Sequence, residues 1–132
     1  MKCDWAHRTE PAASRMVSED KPFTSNEIRA MMRATSMKFA AIIEYAPDPQ
    51  KIARVRPVHR EYIQALKKSG HIAITGPFLD DSGGLLVYEA ETKEEAEKLI
   101  REDPFFKEGV FVSWVLRAWN PVAANPALLP NS

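Results

Sequence analysis

An α+β fold built on one four-stranded antiparallel sheet is predicted from three observations. The apolar stretches fall in the order strand, helix, strand, strand, helix, strand. Cap residues mark the start of both helices. A run of turn-forming residues, Asp80-Asp81-Ser82-Gly83-Gly84, joins the second and third strands as a hairpin. The order is βαββαβ, a ferredoxin-like unit.

The first strand is Lys38 to Tyr45 (KFAAIIEY), dense in apolar and β-branched residues. Asp48-Pro49 then supplies a cap and a first-turn proline, which opens a helix. Pro57 removes a hydrogen bond and crowds the preceding turn. The expectation is a helical turn from Pro49, a break near Arg56, and a firm helix from Pro57 to Ser69. Lys67 and Lys68 suit its C-terminal end, and Gly70 closes it. His71 to Leu79 is the second strand, with Gly76-Pro77 pointing to an edge position or a bulge. Leu85 to Ala90 is the third. Thr92 and Glu95 form a capping box that opens the second helix. Asp103-Pro104 restarts a short turn ending at Gly109, and Val110 to Trp119 is the fourth strand.

Both faces of this sheet ask to be dry. Leu85, Leu86, Val87 and Tyr88 are apolar in succession, so the alternation of a half-wet sheet is missing. In the fourth strand Val110, Val112, Trp114 and Leu116 share one predicted face, and Phe111, Val115 and Trp119 the other. Two helices cover one face only. A second copy packed sheet on sheet is the simplest cover for the other, which predicts a homodimer. The alternative cover is a folded-back tail.

The domain is predicted over residues 37–121. Residues 1–36 lack a sustained period and are expected to be an extension, disordered or weakly helical, or sequence upstream of a start at Met37. Within them, Asn26 to Arg33 fits two helical turns capped by Ser25 or Asn26. Residues 122–132 read as a tail. The chain of 132 residues carries 18 basic and 18 acidic side chains, so no global field favours nucleic acid or an anionic membrane. No apolar run is long enough to span a bilayer. The single cysteine, Cys3, forms no internal disulfide and fits a cytoplasmic setting.

Chemistry is expected where His59 meets a carboxylate. His59, Tyr62, Ile63 and Leu66 fall on one helical stripe, so the imidazole points with the aliphatic side chains. If the helix restarts at Pro57, His59 lies in its first turn, where the dipole and Arg56 favour a neutral ring able to act as a base. The plain alternative is a buried histidine bonded to a backbone carbonyl. Of Asp80 and Asp81, one is expected to start the turn and the other to orient the imidazole. Asp103 reads as the cap before Pro104. Tyr62 and Trp114 read as packing. His7 and His71 have no partner nearby in sequence, and nothing fits metal-ligand spacing.

The runs RPVHREYIQAL, GPFLDDSGGLLVYEA and EEAEKLIREDPFFKEGVF, with the closing strand, resemble the YCII family from Met37 to about Pro121. The resemblance implies a ferredoxin-like subunit that dimerises as an α+β barrel, related to muconolactone isomerase and to dimeric monooxygenase-like proteins. It implies a His-Asp dyad, with the histidine at His59 and the aspartate at Asp81, which precedes Ser82-Gly83. Arg56 and Asp103-Pro104-Phe105 match family positions too, so Arg56, Asp80 and Asp103 are expected to contact a small-molecule ligand. One branch of the family is similar to a dehydrochlorinase of chlorinated hydroxyhydroquinone. The resulting expectation is an enzyme without a cofactor that isomerises, or eliminates from, a small cyclic or aromatic compound. The rival readings are a non-catalytic ligand-binding module and a purely structural dimer.

Overall fold

The computed structural model describes residues 24–27 and 36–130. The described residues 36–120 form one compact unit, and 24–27 with 121–130 belong to another. In the first, β1 (Met37–Tyr45), α1 (Pro49–Ser69), β2 (Ile72–Pro77), β3 (Gly83–Ala90), α2 (Lys93–Arg101), α3 (Pro104–Lys107) and β4 (Phe111–Trp119) follow the predicted order. The sheet order is β2-β3-β1-β4, antiparallel throughout. This is the ferredoxin-like α+β arrangement.

The caps behave as the sequence chemistry requires. Asp48 Oδ1 accepts from Lys51 N at 3.1 Å and Thr92 Oγ1 from Glu95 N at 3.1 Å. Gly70 takes a left-handed φ of 82°, and its N–H donates to the carbonyls of Leu66 and Lys67. No side chain with a Cβ adopts that conformation as cheaply.

Pro57 does not break α1, contrary to expectation: the helix runs unbroken for 21 residues with Pro57 inside it. The buried residues Ile52 and Val55 precede the proline, and Ile63 and Leu66 follow it on the same face. That continuous apolar stripe anchors both sides, while Pro57 itself is exposed, so the crowded turn lies toward solvent. His59 is therefore a mid-helix residue. The first-turn dipole argument has no footing.

The core lies between the helices and one sheet face, around Phe39, Ile43, Leu86, Tyr88, Ile100 and Phe105. β2 is an edge strand, and its irregularity falls between Ile72 and Ile74, ahead of Gly76-Pro77. A register shift between Glu44 and Tyr45, opposite Ser113 and Phe111, resets the alternation of β4. Phe111 is thereby buried beside Tyr45, and Val112 is exposed, the reverse of their predicted partition. On the face away from the helices, Ile42 lies between Leu85 and Val115 in register. Ile42 and Val115 are 54% and 58% exposed in this single chain.

In the other unit, Thr24 Oγ1 accepts from Glu27 N at 3.1 Å, and Glu27 Oε1 accepts from Thr24 N at 2.8 Å. Thr24 is thus the cap of that helical turn, in place of Ser25 or Asn26; the remainder of the predicted helix lies outside the described residues. Asn125 caps a single 3₁₀ turn, Pro126–Leu128. Among the described residues no helix is long and apolar enough to cross a membrane.

Candidate functional site

Three elements converge at one end of the sheet: the middle of α1, the end of β1 and the start of α3. The α1 face presents Arg56, His59 and Ile63 at helical spacing. His59 Nδ1 lies 2.7 Å from Asp103 Oδ1. The same Oδ1 accepts from Phe105 N at 2.8 Å, which caps α3. A carboxylate only accepts, so Nδ1 carries a proton, and in the neutral tautomer Nε2 holds the lone pair. The imidazole stacks on Phe105 with centroids 3.9 Å apart and planes within 5°. The ring is thus held by one directional bond and one flat contact.

The carboxylate paired with His59 is therefore Asp103, not Asp81. Asp81 sits at the hairpin tip, where its Oδ1 takes Arg56 Nη2 at 2.7 Å. Two backbone bonds fix that tip: Ser82 O accepts from Tyr45 N at 2.8 Å, and Phe78 O from Asp81 N at 2.8 Å. Asp81 has a left-handed φ of 61°, which short polar side chains tolerate. Asp80 is the turn-starting residue. Its Oδ1 accepts from Ser82 Oγ at 2.7 Å and Ser82 N at 3.0 Å. Those bonds, the hydroxyl's foremost, hold its carboxyl below the ordinary range.

Asp103, expected to contact a ligand, has no exposed surface and bonds to His59. Its cap was legible as Asp-Pro. Its second role was not, because the two partners are 44 residues apart and no spacing rule joins them. Tyr62 Oη donates to Leu99 O at 2.7 Å, and Trp114 packs on Phe106, so both are packing residues. His71 does have a neighbour, Ser69 Oγ at 2.6 Å from Nδ1. His7 lies outside the described residues. Among the described residues no group of three His, Cys, Asp or Glu is placed to hold a metal ion.

Two hollows lie near these residues. One, of about 160 Å³, is lined by His59, Arg56, Arg60, Gln64, Thr75 and Phe105 among others. Since Nδ1 is committed to buried Asp103, Nε2 is the ring nitrogen left for it. The other, of about 870 Å³, runs past Phe78, Asp80, Asp81, Ser113 and Trp114 and does not include His59. Its size alone would make it the default ligand site, but His59 lines the smaller hollow. Tyr45 lines both. It gave no motif signal in the sequence beyond ending a strand. Burial pushes its phenol up to about 12 against the pull of Arg56, so at neutral pH it is a hydrogen-bond donor. Tyr62 and Tyr88 are raised as well, again chiefly by burial.

With fold and geometry established, the comparisons give the class. Residues 37–120 match the family described as the YCII-related domain, and the chain belongs to that family. A solved structure similar to it is 5-chloro-2-hydroxyhydroquinone dehydrochlorinase from Burkholderia phenoliruptrix AC1100, in complex with 2,5-dihydroxybenzoquinone. That protein is 29% identical, with a TM-score of 0.57 over 64% of this chain and 94% of the other. No curated protein matches the chain in sequence.

The pairing of His59 with Asp103 separates two substitutions. Asp103→Ala removes a cap and leaves a buried imidazole N–H unpaired, and should cost about 2–4 kcal/mol. Asp81→Gly loses a half-exposed ion pair but relieves a left-handed backbone, and should stay within about 1 kcal/mol of the parent. Denaturant midpoints of the two variants measure this directly; equal losses would contradict the assignment.

The three tyrosines, Tyr45, Tyr62 and Tyr88, are all that the chain contains. Below pH 10 they are neutral in the folded and the unfolded chain alike. Above it the unfolded chain ionises first, so stability should fall from pH 10 toward about 12, where Tyr45 follows. Absorbance titration should show tyrosinate appearing together with loss of helical circular dichroism, and not before.

Proposed function

We propose that this protein is an acid–base enzyme that eliminates a leaving group from a small hydroxylated ring. The observation that carries the reading is His59, its tautomer fixed by buried Asp103 and its free edge in a hollow flanked by Arg56 and Arg60. Nε2 takes a hydroxyl proton from the ring. The guanidinium groups favour the resulting anionic oxygen. The proton can then be returned to the carbon that bears the leaving group. Departure of that group with its electron pair, together with a second hydroxyl proton, leaves a quinone. For a chlorinated hydroxyhydroquinone the net change is loss of HCl, giving a hydroxybenzoquinone, and no external oxidant is needed. The likeness to a dehydrochlorinase supports this choice of reaction. Of the expected ligand contacts, Arg56 fits the reading with the guanidinium donors that Asp81 leaves free, while Asp80 faces the larger cleft. Asp81 enters it as the partner of Arg56.

General acid–base catalysis contributes about 10²–10⁴-fold. His59→Ala should lower turnover of 5-chloro-2-hydroxyhydroquinone by that factor, measured as chloride release, with the fold retained. An unchanged rate would remove the proposal; binding without turnover in the parent chain would leave a ligand-binding module.

We propose further that two copies pair through the open sheet face. The exposed Ile42, Leu85 and Val115 form a contiguous apolar rung there, which water disfavours. Val115→Lys should halve the mass seen by sedimentation equilibrium, whereas a monomeric parent chain would refute the pairing.

A further inference from the structure

Tyr45 ends β1, and its ring is fixed from two sides. It stands edge-on to Phe105 at 5.5 Å and stacks on Phe111 at 5.9 Å. The hydroxyl beyond that ring has an unusual position. Tyr45 is the residue common to the linings of the small His59 hollow and the large cleft. Gly84, on the neighbouring strand, leaves room for it: a Cβ there would come within 3.0 Å of the Tyr45 oxygen and 2.9 Å of the Gly76 carbonyl. A side chain at Gly84 would thus crowd the β2 backbone and the phenol oxygen alike.

The other two tyrosines mark the contrast. The Tyr62 hydroxyl is spent on Leu99 O. That of Tyr88 is sealed in the core without a partner. The Tyr45 hydroxyl bonds to none of the described residues, yet is not among their sealed polar atoms. It is therefore a donor with an open side. Burial keeps it protonated to about pH 12, so it donates throughout the physiological range. Arg56 is close enough to act on it electrostatically, as are Asp81 and Asp103. A ligand oxygen that meets this donor also meets the cationic side of the small hollow, formed by Arg56 and Arg60.

We propose that the Tyr45 hydroxyl binds an anionic ring oxygen of the ligand at the edge of the His59 hollow, and so selects hydroxylated quinones and phenolates over rings without an ionised oxygen. This rests on the reading of the His59 hollow as the reaction site. The ring undergoing proton transfer lies in the His59 hollow. A hydroxyquinone suits the donor because its negative charge is shared between two oxygens set 1,3 on the ring. One can face the guanidinium groups while another faces the phenol.

The test uses the full chain and 2,5-dihydroxybenzoquinone as probe, followed by calorimetry, with 1,4-benzoquinone as the uncharged comparison. Tyr45→Phe removes an oxygen with no bond to the described residues and keeps every ring contact, so the variant should fold as the parent does. A hydrogen bond to a charged acceptor corresponds to a loss on the order of 10- to 100-fold when removed. Affinity for the hydroxyquinone should fall by that much in Tyr45→Phe, and affinity for 1,4-benzoquinone should not change. If Tyr45→Phe binds the hydroxyquinone as well as the parent while His59→Ala does not, the role of Tyr45 is overturned and the reaction site stands. If the two probes weaken equally, selection by Tyr45 is overturned. If the parent chain binds neither probe, the reaction site itself fails, and the inference with it.

Discussion

One buried carboxylate ties the structure together. Asp103 has no exposed surface, and its Oδ1 takes both the His59 imidazole N–H and the Phe105 backbone N–H. An ionised carboxylate away from water is costly unless such donors surround it. The two donors come from different places in the chain. One lies on α1, in the first βαβ half, and the other on α3, in the second. The bond that orients the candidate base is therefore also a clamp between the halves of the fold. Its second oxygen is buried without a partner among the described residues, which leaves the carboxylate dependent on Oδ1 for compensation.

The stacked Phe105 makes the clamp stiffer. Phe105 follows the capped Pro104, is fully buried, and lies flat against the imidazole at 3.9 Å. It also touches Tyr45 and Phe111 edge-on. The base, the unbonded phenol and the cap thus share one aromatic neighbour. A shift of α3 would move His59 relative to the Tyr45 hydroxyl. Acid–base chemistry depends on such fixed distances, and here they are set by packing in the core, with no mobile loop between the groups.

The strands, helices and their order were legible because each rests on local chemistry. Asp48-Pro49, Gly70 and the Thr92–Glu95 pair act on the backbone within four residues of themselves. The hairpin was legible for the same reason, and Asp80 does start it. Pro57 misled because its local cost is real but smaller than what the stripe Ile52, Val55, Ile63 and Leu66 recovers by staying in one helix. Phe111 and Val112 misled because a register shift at Glu44/Tyr45 swaps the sides on which these two fall. His59 was found from its stripe. Its partner was not, since Asp81 and Asp103 both lie beyond the reach of any rule based on helical spacing, and only the packing of α1 against α3 decides between them.

The position of Asp81 then acquires its own physical sense. Arg56 precedes His59 by one helical turn, so an unpaired guanidinium would stand beside the candidate base. Asp81 takes Nη2 from the hairpin side at 2.7 Å, in a contact that stays open to water. A half-exposed pair of this kind is weak, about 0–1 kcal/mol, so an anionic ligand can share the guanidinium without first breaking a strong bond. The buried pair holds and the exposed pair yields. Because α1 is unbroken through Pro57, the two pairs lie one turn apart on a single rigid helix. In the proposed reaction, an oxygen drawn to Arg56 is thereby held on the same helix face as His59.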